Sequence, residues 1–159
     1  MRAARGLSVV LAGTVLAALL AGCGSYTKAD FIDRADAICT STLRATRNVP
    51  PPVFSGRNTE VSALAAYLER VVPLVRTEAR ELNAVRRPEQ DPAESALLQG
   101  YLSAIDAEAA DYAALAAAAG RSDAQGVASA EGALRDSPAS SLAARYGMHT
   151  CGGAGATIT

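Results

Sequence analysis

The chain has 159 residues, half of them hydrophobic and only 4% aromatic, with 15 basic against 16 acidic side chains and a formal net charge of −1. That length suits a single domain with one core. No basic block or arginine stripe with interleaved aromatics is present, which excludes nucleic acid as a partner.

Arg2 and Arg5 precede an apolar run from Leu7 to Leu20, and small residues then lead into Cys23. A basic start, an apolar core of this size and a small-residue exit predict an export signal with a cut before Cys23. The run falls short of the roughly 20 residues that a spanning helix needs. Leu20, Ala21, Gly22 and Cys23 resemble the lipobox of bacterial lipoproteins at every position. The resemblance implies a diacylglycerol on the Cys23 sulfur and cleavage before it, and leaves open whether palmitate or another acyl chain is added to the freed amine. The competing reading is a plain secretory signal with an accidental cysteine. Two or more chains anchor a protein stably, so the expected location is the cell membrane, lipid-anchored on its extracytoplasmic face.

The chain divides accordingly into a signal peptide (1–22), a lipidated cysteine with a short tether (23–27), a helical domain (28–151) and a flexible tail (152–159). Removing the signal takes away Arg2 and Arg5 and leaves 13 basic against 16 acidic side chains. Once Cys23 carries lipid, Cys39 and Cys151 are the remaining thiols. In an exported protein such a pair normally joins as a disulfide. A bridge closing more than 100 residues stabilises by roughly 4–5 kcal/mol on the chain-entropy model. The competing reading is two buried free thiols.

Thr27-Lys28-Ala29-Asp30 has the form of a capping box. The helix it opens is expected to run to about Thr46, with Phe31, Ala35, Ile38, Cys39 and Leu43 on one stripe and Asp30 and Arg34 spaced for an exposed pair. Pro50-Pro51-Pro52 makes a stiff connector. A second helical period extends from about Thr59 to Val85 through Val61, Leu64, Leu68, Val71, Val75, Ala79 and Leu82, with a kink expected near Pro73. Asp91-Pro92-Ala93-Glu94 supplies an N-cap, a proline at N1 and a glutamate at N3. The third helix it starts carries Leu98, Tyr101, Ile105, Ala109, Tyr112, Leu115 and Ala119, and Gly120 is the expected C′ residue. Ser122-Asp123-Ala124-Gln125 repeats the capping-box pattern for a fourth helix, whose inward positions are Val127, Ala130, Leu134, Leu142 and Tyr146; Gly147 ends it. No stretch alternates long enough to form a strand. The fold expected is all-α: a four-helix up-down bundle stapled by one disulfide between helix 1 and the C-terminal segment.

His149 beside Cys151 and Met148 hints at a metal, but oxidation of Cys151 removes the thiolate and no second histidine exists, so neither a metal nor a cofactor is expected. Glu108 and Asp111 lie one turn apart with Asp106 nearby. They lack the Glu-x-x-His pattern of ferritin-like sites and read as a solvated face. Glu69, Arg70, Arg76, Glu78, Arg80 and Glu81 read as helix-surface pairs. Tyr67, Tyr101, Tyr112 and Tyr146 are the candidate lining of a pocket between helices, though tyrosine at helical spacing is more often half-buried core. Nucleophilic triads, phosphate-cradling loops, HExxH and CxxC are all missing, so no enzyme is expected. A buried, perturbed carboxylate pair would argue otherwise, and sequence does not reveal one.

The stretches Ala29-Asp30-Phe31-Ile32-Asp33-Arg34-Ala35-Asp36-Ala37-Ile38-Cys39 and Arg145-Tyr146-Gly147-Met148-His149-Thr150-Cys151 together resemble a group of small, uncharacterised lipoproteins of high-GC Gram-positive bacteria. The resemblance implies a disulfide-stapled helical domain on the outer face of the cytoplasmic membrane and no particular activity. The functional expectation is a non-enzymatic domain that binds another cell-envelope component; the alternative is a small-molecule or lipid-binding bundle.

Overall fold

The computed structural model describes residues 25–52 and 57–152. The signal peptide, the lipobox Leu20-Ala21-Gly22-Cys23 and the tail beyond Gly152 lie outside the described residues. Five helices follow in order: α1 (Lys28–Arg47), α2 (Arg57–Ala84), α3 (Pro92–Gly120), α4 (Ala124–Arg135) and α5 (Ala139–Tyr146). Among the described residues there is no strand. The fold is an all-α bundle of four arms, the fourth made of α4 and α5.

Local chemistry sets most helix ends. Thr27 and Asp30 cap reciprocally: the Thr27 hydroxyl accepts from the Asp30 amide at 3.2 Å, and the Asp30 carboxylate accepts from the Thr27 amide at 2.7 Å. The Thr27 hydroxyl also donates to the Asp30 carboxylate at 2.7 Å, and this bond, then the one from the Thr27 amide, holds the Asp30 carboxyl below its ordinary range. They also occupy the group expected to pair with Arg34; the ion pairs among the described residues are instead Lys28–Glu94 and Arg121–Asp123. The Asp91 carboxylate accepts from the amides of Ala93 and Glu94 at 2.8 and 2.9 Å, as its place before Pro92 predicts.

Helix α2 is assigned as one element from Arg57 to Ala84 with Pro73 inside it. Two expectations are corrected. Gly120 is the last helical residue rather than the C′ position, and Ser122 takes the positive φ of 55° instead. The predicted fourth helix is two: Asp123, not Ser122, caps α4 by accepting from the Gly126 amide. Asp136 caps the end of α4 and Pro138 stands at the N-cap of α5, so the arm breaks between Arg135 and Ala139.

Contacts between helices give the directions. Leu82, late in α2, packs with Leu98, Tyr101 and Leu102, early in α3. Leu68 and Val72, earlier in α2, pack with Leu115 and Ala119, late in α3, and with Ala130 of α4. Helices α2 and α3 are therefore antiparallel. Lys28 meets Glu94 while Cys39 meets Tyr101, so α1 runs alongside α3 in the same sense. Ser137 lies at Glu108 and Tyr146 at Gln90, so the α4–α5 arm returns antiparallel to α3. The arms thus go up, down, up and down. Helix α3 packs against α2, α4 and α5, which explains why its buried residues, including Tyr101, Ala104, Ala109 and Leu115, follow no single stripe.

The last segment returns to α1. Cys39 and Cys151 form a disulfide with Cα atoms 5.4 Å apart across a sequence separation of 112. One turn before Cys39, the Asp36 carboxylate accepts from the backbone amides of His149, Thr150 and Cys151 at 2.9, 2.8 and 3.2 Å. Gly147 makes the turn out of α5 at φ 105°. Gly152 passes so close to α5 that an added Cβ would stand 2.6 Å from the Ala144 backbone nitrogen.

Asp36→Ala leaves three amides without their charged acceptor and is expected to lower stability by about 2 kcal/mol, read as a reduced urea midpoint with the disulfide intact. Replacing both Cys39 and Cys151 with alanine should cost more, up to roughly 4–5 kcal/mol.

Candidate functional site

Between the two apolar clusters lies a polar layer. On α2 it falls at Val75 and Glu78, after Leu68 and Val72 and before Leu82; on α3 it falls at Ile105 and Glu108, after Leu102 and before Leu115. A cleft of about 60 Å³ opens there. Its walls are Thr42 and Thr46 of α1, Glu78 of α2, Tyr101, Glu108 and Tyr112 of α3, and Ser140 of α5, with the Cys39–Cys151 bridge at one edge.

Helix geometry brings these groups together. Tyr101, Ile105, Glu108 and Tyr112 are spaced by four, three and four residues and so share one face of α3. Val75 and Glu78 share the facing side of α2. Glu78 and Glu108, read from sequence as surface charges, are partly buried, whereas Asp106 is exposed and accepts from the Asn83 side chain at 2.9 Å. Periodicity counts charged residues as outward-facing, and here two of them fall on the inward stripe.

Burial raises the Glu78 carboxyl to about 7, and the neighbouring Glu108 and Glu81 charges push in the same direction; a hydrogen bond with Thr42 opposes them. Glu108 is also raised, first by burial and then by Asp111, against a hydrogen bond with Ser137. The charges acting on this pair are all carboxylates. Tyr112 is pushed up to about 12, chiefly by burial and then by Glu108. Tyr101 is raised further for the same chief reason, and its side chain is fully buried. Its hydroxyl lies 3.9 Å from the Cys39 sulfur. A disulfide sulfur carries no proton, so the tyrosine donates.

The four tyrosines expected to line one pocket separate. Tyr101 and Tyr112 line the cleft. Tyr67 packs against the Leu68–Leu115 cluster, close enough to Tyr112 to influence its ionisation. Tyr146 belongs to the far end of the bundle. There its ring meets Phe31 edge-on at 5.8 Å, Lys28 lies over it at 4.6 Å, and its hydroxyl donates to Gln90 at 2.7 Å. His149 is exposed, and its amide belongs to the Asp36 turn. Among the described residues no group of three or more His, Cys, Asp or Glu side chains comes together to hold a metal.

A 60 Å³ space accommodates a few waters, against the several hundred cubic ångströms of a typical small-molecule site. The cleft is therefore far smaller than a typical metabolite site. Sequence reasoning named Tyr101 and Tyr112 and missed Glu78, Thr42 and Ser140. The available signal was that Glu78 falls three residues after Val75 and one turn before Leu82, within the apolar stripe of α2. The chain matches no family model, no curated protein and no solved structure.

Because Glu78 has a higher value folded than its ordinary 4.5, its contribution to stability is complete below about pH 4.5 and declines as pH rises through about 7. The loss is on the order of 3 kcal/mol. Glu78→Gln keeps the neutral form, so its urea midpoint should vary much less between pH 5 and pH 8 than that of the native protein.

Proposed function

We propose that this chain is a lipid-anchored domain on the extracytoplasmic face of the cell membrane that binds another envelope component through its helical surface, without catalysis. The observation that carries the reading is the Cys39–Cys151 bridge. A covalent tie between α1 and the C-terminal segment suits an oxidising, extracytoplasmic setting and agrees with the export signal and lipobox in the sequence. Among the described residues no helix is long and apolar enough to cross a membrane, so the lipid on Cys23 is the proposed anchor. Helix α1 starts at Lys28, five residues after that cysteine. At about 3.5 Å per extended residue, the tether keeps the domain close to the lipid surface.

The small volume of the cleft favours a surface partner over the alternative of a lipid or metabolite held inside the bundle. The carboxylate pair within it is read as part of the domain's own proton chemistry. Both groups lie in a space without room for a substrate.

Intact mass of membrane-extracted protein, with and without reduction and alkylation, tests the anchor. A mass equal to residues 23–159 plus diacylglyceryl, with two thiols blocked until reduction, is expected, and Cys23→Ala should release the protein from the membrane. An unlipidated soluble mass for the native chain would remove the proposal. For the partner, site-specific cross-linking in intact cells should give a discrete product with one envelope protein, whereas self-linked product alone would count against a binding role.

A further inference from the structure

Every backbone amide from Gly147 to Cys151 is hydrogen-bonded, and none of these bonds involves a sulfur. The Gly147 and Met148 amides donate to the Ala143 carbonyl at 3.1 and 3.0 Å and close the end of α5. The amides of His149, Thr150 and Cys151 donate to the Asp36 carboxylate. Met148 is buried, and the Thr150 and Thr40 hydroxyls lie 3.5 Å apart. The last of the three amides on Asp36 belongs to the residue that carries the bridging sulfur. Asp36 and Cys39, three residues apart, share a face of α1. The carboxylate that grips the Cys151 backbone therefore stands one turn from the sulfur that the Cys151 side chain must reach.

The two sulfurs have polar neighbours of their own. Cys151 Sγ lies 3.4 Å from the Ala35 carbonyl oxygen, and Cys39 Sγ lies 3.9 Å from the Tyr101 hydroxyl. In the disulfide the first contact is not a hydrogen bond, because the sulfur has no proton to give; a Cys151 thiol has one. A Cys39 thiol still accepts from Tyr101. Reduction thus leaves neither buried sulfur without a partner and removes none of the backbone bonds of residues 147–151.

We propose that Asp36 is the positioning residue for this disulfide: it seats residues 149–151 on α1 before the bond forms and keeps them there when the bond is reduced, so that Cys39 and Cys151 form a reversible redox couple inside a folded domain. The bond is made by exchange with a disulfide-bearing oxidant. One protein thiolate attacks a sulfur of the oxidant, expels the other oxidant sulfur as a thiolate and leaves a mixed disulfide; the second protein thiolate attacks the protein sulfur of that intermediate and expels the remaining oxidant thiolate. Two electrons pass to the oxidant, and the two protons given up by the protein thiols end on its released thiolates. The second step is intramolecular, so it depends on the fraction of molecules that hold Cys151 beside Cys39. The carboxylate raises that fraction by holding backbone amides, not by acting on either sulfur.

Equilibration of the full protein, kept in detergent micelles, with mixtures of reduced and oxidised glutathione tests the assignment. Alkylation and peptide mass give the fraction of Cys39 bridged to Cys151; the square of the reduced concentration over the oxidised one at the midpoint gives the effective concentration of one thiol at the other. Asp36→Ala should lower that value by about tenfold, and Asp36→Asn, which keeps one acceptor oxygen, should lower it less. A residue that only stabilised the fold would leave it unchanged. In the fully reduced native protein, the amides of residues 149–151 should keep their protection from hydrogen exchange to within about tenfold of the oxidised form. Exchange of those amides at unprotected rates would overturn the proposal, whether or not Leu98, Tyr101 and Leu102 stay protected. So would an effective concentration within about twofold of the native one in whichever of the two variants keeps Leu98, Tyr101 and Leu102 protected when reduced.

Discussion

The tie between α1 and the C-terminal segment is the constraint on which the rest of the bundle depends. Helices α2 and α3 pack along their length, and α4 and α5 both lie on α3, but the backbone of α1 comes close to that of α2 alone and reaches α3 and α5 only through side chains. The fourth edge is closed by side chains and by the last few residues: Phe31 against Tyr146, the Asp36 carboxylate holding three successive amides, and the Cys39–Cys151 bond. Alanine-rich helices approach closely but bury little area per contact. A small core of this kind gains most from a covalent link that removes freedom from the unfolded chain.

That economy explains the layered interior. One apolar cluster surrounds the disulfide and includes Phe31, Tyr101 and Tyr146; the other surrounds Leu68 and Leu115. The intervening level carries Glu78, Glu108, Thr42 and Tyr112 and keeps a space of about 60 Å³. Carboxylates in such a layer weaken the fold whenever they are charged, so their cost depends on pH, unlike that of an ordinary packing defect. The bridge borders the same space, with the Tyr101 hydroxyl directed at its sulfur. Covalent closure and proton chemistry therefore meet at one level of the bundle.

The sequence was most legible where structure is local. The caps at Thr27 and Asp91 announced α1 and α3 through side chains that satisfy amides two or three residues away, and the stop at Gly147 was equally local. The disulfide was legible by counting, once Cys23 had been assigned to the lipid. The break before α5 was visible as Pro138 but was outweighed by an apolar period that continues in Leu142 and Tyr146. The candidate site was legible only in Tyr101 and Tyr112. A glutamate gives the same signal in a pattern whether it faces water or a neighbouring helix; its burial was decided by α1 and α5 closing over it, contacts made by residues far away in the chain. For Tyr146 the reverse held: its helical spacing was clear, but the break and the turn carried its ring to Phe31 and Lys28 instead of to the other tyrosines.

The position of Asp36 and Cys39 near one end of the domain, and of their partners near the other, also bears on the order in which the chain is made. A ribosome delivers α1 before α2 and α3, and residues 149–151 after all of the helices. Until those final residues appear, the Asp36 carboxylate and the Cys39 thiol have nothing to hold, while α2 and α3 can already pair. The bonds that tie α1 to the C-terminal segment therefore become available only after the central hairpin has been made.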